Sequence, residues 1–271
     1  MVSLKDLSPA DLAAAADANL VTHVSCVQQR TPGMHVVDTA NLVLVDSGLP
    51  CDTFNVVCRA RLAQDAAQAQ VRAAVDYFAG AGRPFAWWLS PADQPADLGE
   101  FLCAVGLQPA ETELAMAAEL ATLGDADLAP GGLQIRRVRT AAELHDFAQV
   151  ISVSWTPPDA EVLRFYELAA PALLGDDAPL WLYVGYLGEA PVATSELAIG
   201  GGVVGLYNVV TRPGYRRRGF GTALVLQPLL NARARGYRTA ILQASAEGVS
   251  VYRRLGFEAF GRITEYKPAG S

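Results

Sequence analysis

The chain has 271 residues, 51% of them hydrophobic and 18% charged, with a net charge of −7. This balance permits a sizeable core and excludes a disordered chain, while the acidic excess argues against nucleic acid as the main partner and permits a cationic amine substrate. The apolar residues are dispersed with no run long enough to span a membrane, and the polar start with Lys5, Asp6 and Asp11 is no signal peptide, so a soluble, cytoplasmic protein without membrane contact is expected.

Ser8-Pro9-Ala10-Asp11 opens an alanine-rich helix over residues 9–29, because serine caps and proline suits the first turn. Apolar runs follow at His35-Val36-Val37 and Leu42 to Val45, and Asp46-Ser47-Gly48-Leu49-Pro50 breaks the pattern. Phe54 to Cys58 reads as a strand, residues 64–80 as a helix with Val71, Ala74, Val75 and Phe78 on one face, and Pro84 to Leu89 as a strand. A short helix from Leu98 to Val105 ends at Gly106, and Glu111 to Leu120 is a further strand. Gly, Pro and Asp then concentrate over residues 124–132, as a linker requires.

The second half begins with a strand from Leu133 to Val138. Thr140 and Glu143 form a capping box for a helix from about Ala141 to Ser152. Pro157-Pro158-Asp159 starts another helix, with Val162, Leu163, Phe165, Tyr166 and Leu168 as its apolar positions. A strand from Leu180 to Leu187 turns at Gly188-Glu189 into a second from Val192 to Ile199, and Gly200-Gly201-Gly202 turns the chain into a central strand ending at Thr211. Cys26, Cys51, Cys58 and Cys103 form no C-x-x-C pair, so free thiols and no metal site are expected. His23, His35 and His145 are scattered and suit structural or surface roles.

This order repeats. Phe54-Asn55-Val56-Val57-Cys58-Arg59 aligns with Tyr207-Asn208-Val209-Val210-Thr211-Arg212, Ala81-Gly82-Arg83 with Arg235-Gly236-Tyr237, and Val105-Gly106-Leu107 with Leu255-Gly256-Phe257. Near-constant spacing of three landmarks implies two copies of one unit. The copies differ after the first landmark. The second has Arg216-Arg217-Arg218-Gly219-Phe220-Gly221-Thr222, whereas the first has no Gly-x-Gly. Strand, glycine turn and helix start together make a phosphate cradle, in which backbone N–H groups from about Arg217 to Thr222 face the ligand and the arginines add positive charge.

Arg216-x-x-Gly219-x-Gly221 resembles the Q/R-x-x-G-x-G/A signature of the GNAT superfamily of N-acetyltransferases, and Tyr252-Arg253-Arg254-Leu255-Gly256-Phe257 resembles its Y-x-x-x-G-F segment. The resemblance covers about residues 133–267. It implies an α/β fold of two tandem GNAT-like domains, each a mixed, mainly antiparallel sheet flanked by helices. Residues 1–123 would be a degenerate copy without the cofactor loop, 124–132 a linker and 133–271 the catalytic domain. The cofactor implied is acetyl-CoA, as co-substrate and without a metal. Arg216, Arg217, Arg218, Gly219, Phe220, Gly221 and Thr222 would hold its pyrophosphate, and Val209, Val210 and Thr211 would pair with pantetheine. A free N–H of Val209 or Val210 would meet the thioester oxygen.

By the same resemblance Tyr252 is the general acid toward sulfur, and a phenol remains protonated at neutral pH. Ser245 stands where the family often has a cofactor-binding asparagine, with Gln243 and Glu247 flanking it. Tyr207 and Asn208 occupy the strand where many members carry a basic glutamate, and neither is a natural base. Glu196 on the preceding strand is the nearest carboxylate; an outward, solvated Glu196 and a water chain are the alternatives. The expected acceptor is a primary amine of a small molecule or peptide, bound between the halves of a monomer or homodimer. Two other readings stand beside this one: a mycothiol-synthase-like enzyme, because the tandem arrangement is similar, and a cofactor-binding regulatory module without turnover.

Overall fold

The computed structural model describes residues 2–124, 127–175 and 177–269, so the expected linker over 124–132 lies partly outside the described residues. The first half contains α1 (Pro9–Ser25), β1 (His35–Asp38), β2 (Val43–Asp46), β3 (Val56–Cys58), α2 (Ala67–Ala81), β4 (Ala86–Leu89), α3 (Leu98–Ala104) and β5 (Leu107–Glu119). The second contains β6 (Gln134–Arg137), α4 (Ala141–Ser152), α5 (Ala160–Leu173), β7 (Leu180–Leu187), β8 (Ala190–Gly200), β9 (Val203–Thr211), α6 (Phe220–Ala234), β10 (Thr239–Ala244), α7 (Val249–Arg254) and β11 (Glu258–Pro268). None of these helices is long and apolar enough to cross a membrane.

All eleven strands form one mixed sheet in the order β1-β2-β3-β4-β11-β5-β10-β9-β8-β7-β6. The two copies are visible in it. β2 pairs antiparallel with β3, which pairs parallel with β4; β8, β9 and β10 repeat that pattern. Gly106 and Gly256 close the equivalent short helices at φ 94° and 93°. Each copy also inserts its last strand into the other. β5 pairs with β10 of the second half, β11 pairs with β4 of the first, and the two long strands pair with each other. The halves therefore share a backbone ladder, and separating them would leave several strand edges unpaired.

Local sequence accounts for most elements. Ser8 and Asp11 form a capping box ahead of Pro9, and Thr140 and Glu143 form one for α4. Helix α2 buries Ala67, Val71, Ala74 and Phe78, one face at helical spacing. Two expectations need correction. The first helix stops at Ser25, not 29. The helix after Pro157 starts only at Ala160, capped by Asp159, and its Leu168 is 46% exposed and not part of the buried face. The last strand, β11, for which no element was expected, mixes Glu258, Arg262, Glu265 and Lys267 with Phe260, Ile263 and Tyr266.

Helix α1 crosses from the first half onto the second. The side-chain amide of Asn19, fully buried, donates to the carbonyls of Ala198 (2.9 Å), Gly200 (3.0 Å) and Val203 (3.3 Å), and Asn19 Oδ1 accepts from Tyr207 OH at 3.0 Å. The approach is so close that a Cβ on Gly205 would overlap Asn19 Oδ1. This contact places α1 against β8 and β9, beside the candidate site.

Candidate active site

Strands β9 and β10 pair only at Val204–Ala240, Gly205–Ile241 and Leu206–Leu242. Beyond Leu206, β9 runs on to Thr211 without a strand partner on that side among the described residues, which leaves open-edge N–H and C=O groups. A bulge at Asn208, in the left-handed region at φ 51°, shifts the register with β8, and Thr194 Oγ1 donates to the Asn208 carbonyl at 3.0 Å.

Helix α6 starts beside this open edge. Its N-cap, Gly219, has φ 83°, where a side chain is strained. No side chain caps the helix, so its first N–H groups have no intrahelical or capping partner. The equivalent N-cap of the first half is Ala66 at φ −101°. There the loop after β3 is filled by the protein's own carboxylate, since Asp93 Oδ1 accepts from Ala60 N at 2.8 Å and Arg61 Nη1 at 3.0 Å. Burial, reinforced by Asp17, pushes the Asp93 carboxyl up to about 7.

Open edge and helix start border one cleft of about 630 Å³. Val209, Val210 and Thr211 form one wall, and Arg216, Arg217, Gly219, Phe220, Gly221 and Thr222 form another. Ser245 and Tyr252 face the same space. Arg218 is outside this lining; its guanidinium lies 4.8 Å from the Phe220 ring centroid. Glu247 lines the cleft, as do Ser154 and Arg254, which the sequence did not single out. Tyr252 is half-buried, and burial followed by the charge of Glu113 pushes its phenol up to about 12, so it is held as a proton donor.

Glu196 lines a second cavity of about 60 Å³ and is 1% exposed, not outward and solvated. Its Oε2 accepts from Asn208 Nδ2 at 2.9 Å, and its Oε1 lies 2.7 Å from His23 Nδ1. His23 is one turn beyond Asn19 on α1, so both project from one helix face. Its ring stacks on Tyr207 with centroids 3.9 Å apart and planes 2° from parallel. His23 is thus packed against β8 and β9, not out on the surface, whereas His35 and His145 are exposed. The signal available in sequence was the Asn19–His23 spacing, but nothing local tied it to Glu196, 173 residues away.

A third cavity, about 270 Å³, is lined by Trp88, Trp155, Glu111, Glu113, Glu265 and Lys267, with Asp52 and Thr53 at its side; Thr53 also lines the second cavity. Lys267 Nζ lies 2.9 Å from Asp52 and 3.3 Å from Glu265, leaving Glu111 and Glu113 without an ion pair among the described residues. Burial, then the neighbouring Glu111 and Glu265, pushes the Glu113 carboxyl up to about 7. Among the described residues no group of three or more His, Cys, Asp or Glu is placed to hold a metal ion.

Residues 134–260 match the family model described as an acetyltransferase (GNAT) domain. No curated protein matches the chain. Among solved structures, a GCN5-related N-acetyltransferase from Kribbella flavida aligns with TM-score 0.70 at 19% identity, over 94% of this chain and 96% of that one. Another from Sphaerobacter thermophilus gives 0.60 at 17% identity, over 96% and 93%. A tandem GNAT protein from the clavulanic acid biosynthesis pathway gives 0.59 at 13% identity, over 98% and 96%. These likenesses run through both halves and establish a tandem fold.

Proposed function

Given that the second half of this chain is a GNAT acetyltransferase domain, we propose that the protein is an N-acetyltransferase. It moves an acetyl group from acetyl-CoA to a primary amine of a small molecule or peptide, by direct attack with both bound. The observation that carries this reading is the uncapped, glycine-led start of α6 beside the open edge of β9, with Tyr252 facing the same cleft.

Acetyl-CoA, when bound, supplies an acetyl thioester with an electrophilic carbonyl carbon. The N–H groups from Arg217 to Thr222, with Arg216 and Arg217, hold the phosphates, and Arg218 adds charge from behind the Phe220 ring. Val209, Val210 and Thr211 pair with pantetheine along the open edge, and Ser245 lines the same path. A free N–H of Val209 or Val210 stabilises the carbonyl oxygen as it gains negative charge. Tyr252 protonates the departing sulfur. Glu196 supplies the negative charge toward which the amine's proton moves.

Residues 133–271 act as the cofactor-holding unit, residues 1–123 wall the acceptor side, and 124–132 joins them. The carboxylates and indole rings of the third cavity suit a cationic amine. Calorimetry with acetyl-CoA tests the first step, and binding is expected; its absence at millimolar ligand overturns the proposal. Release of CoA thiol across a panel of amines tests the second. Binding without release from any amine would make the protein a cofactor-binding module and not an enzyme.

A further inference from the structure

We infer that His23, from the first half, is the general base, and that Glu196 positions and charges it. The inference rests on the acetyl-transfer reading and deepens it. Glu196 is buried and both its oxygens are engaged, one by Asn208 Nδ2 and one by His23 Nδ1. Such a carboxylate has little freedom to turn toward a substrate amine. The His23 ring lies flat on Tyr207, and with Nδ1 committed to Glu196 its remaining nitrogen, Nε2, has no hydrogen bond among the described residues. The side chain keeps 23% exposure, so proton exchange with solvent is open. A buried carboxylate that orients an imidazole and leaves its other nitrogen free is the arrangement by which an imidazole becomes a general base.

Asn208 ties this pair to the transfer site. It bonds Glu196 through its side chain and is followed directly in β9 by Val209 and Val210, which wall the cofactor cleft. The protons balance as follows. The ammonium gives one proton to His23 Nε2, which releases it to solvent, and the resulting amine forms its bond to the carbonyl carbon. The C–S bond breaks as Tyr252 gives its proton to sulfur. The second proton lost by the nitrogen restores the Tyr252 phenol through solvent. The products are an acetamide, CoA thiol and one free proton.

The first half is then part of the catalytic apparatus even though it has no cofactor loop. Asn19, one turn before His23 on α1, fixes the helix on β8 and β9 and so sets the imidazole's position.

Several titratable groups face or influence this pair: Glu196 from β8, Tyr207 from β9, Tyr166 from α5, Cys26 just after α1, Arg30 beyond it and Cys58 in β3. Burial pushes both tyrosines and Cys58 well up and Cys26 up to about 12, so none of them titrates near neutrality.

The test uses the full chain. Nitrogen-15 NMR of the His23 imidazole should show a proton on Nδ1 and a bare Nε2 in the neutral form; a proton on Nε2 overturns the inference. With an amine that turns over, His23→Ala should lose roughly 100- to 10,000-fold in kcat, with unchanged acetyl-CoA affinity and partial rescue by free imidazole. His23→Gln retains a donor toward Glu196 but carries no base, and should be as slow as His23→Ala. Glutamine that restores kcat, or alanine that keeps the wild-type rate, overturns the base assignment and leaves acetyl transfer standing. Wild-type protein that turns over no amine refutes acetyl transfer and the inference with it.

Discussion

Gly221→Ala should stabilise the free protein while weakening its hold on acetyl-CoA. Gly221 is the second residue of α6, and a Cβ built there meets only Thr211 Oγ1, at 3.5 Å, an ordinary contact. Alanine therefore fits the fold, and replacing glycine in a helix is worth about 0.5–1 kcal/mol, which raises Tm by roughly 1–4 °C in a chain of this size. The added methyl projects into the 630 Å³ cleft beside the uncapped helix start, where phosphate must approach the backbone closely. Losing one charge-assisted N–H bond there costs about 1.5–3 kcal/mol, which weakens binding roughly 10- to 150-fold. Thermal melts without ligand and calorimetry with acetyl-CoA read the two effects separately. A raised Tm with unchanged affinity would mean that no phosphate rests on this loop. A lowered Tm would refute the packing argument. Gly219→Ala, by contrast, should cost stability as well, about 1–2 kcal/mol, because φ is 83° there.

Tyr252→Phe should reduce kcat roughly a hundredfold or more with acetyl-CoA affinity unchanged; full turnover, followed by thiol release, removes the general acid. Asn19→Ala should destabilise the fold by about 2–3 kcal/mol in chemical denaturation, because it leaves the Ala198, Gly200 and Val203 carbonyls and the Tyr207 hydroxyl short of partners; a loss under 1 kcal/mol would show that water replaces the amide. Glu113→Gln should have a pH-dependent effect. The folded state holds this carboxyl up to about 7, above its ordinary 4.5, so folded stability is full below 4.5 and declines as pH rises through 7. The glutamine variant should therefore match wild type near pH 4 and be more stable at pH 8; equal differences at both would contradict the burial.

Much of the fold was legible in the chain. The capping boxes at Ser8 and Thr140 and the helical spacing of Val71, Ala74 and Phe78 are local signals, and each marks a helix found in the structure. The duplicated landmarks correspond to equivalent strands and turns. The cleft beside the start of α6 was legible for the same reason: all but Ser154 of its lining comes from Val209 to Arg254, where the glycine turn, the strand before it and Tyr252 lie close together in sequence. Arg218 was the exception. Three adjacent arginines look alike in sequence, and only the packing of one guanidinium over the Phe220 ring distinguishes it.

The surroundings of Glu196 were not legible. Glu196 could be named as the nearest carboxylate, but its burial and its two partners follow from α1 lying across β8 and β9. Likewise β11 mixes charged and apolar residues, its partners lie far away in sequence, and no element was expected there. Its place between β4 and β5 is a pairing that only the closed sheet supplies. Short-range patterns in the chain specify helices, turns and a glycine-led helix start, because caps, periodicity and glycine conformations act within a few residues. The exchange of strands between the halves, the pairing of His23 with a glutamate 173 residues away, and the carboxylate-lined cavity depend on contacts across the fold. Burial and orientation are properties of those contacts, so they exist only once the chain has closed on itself.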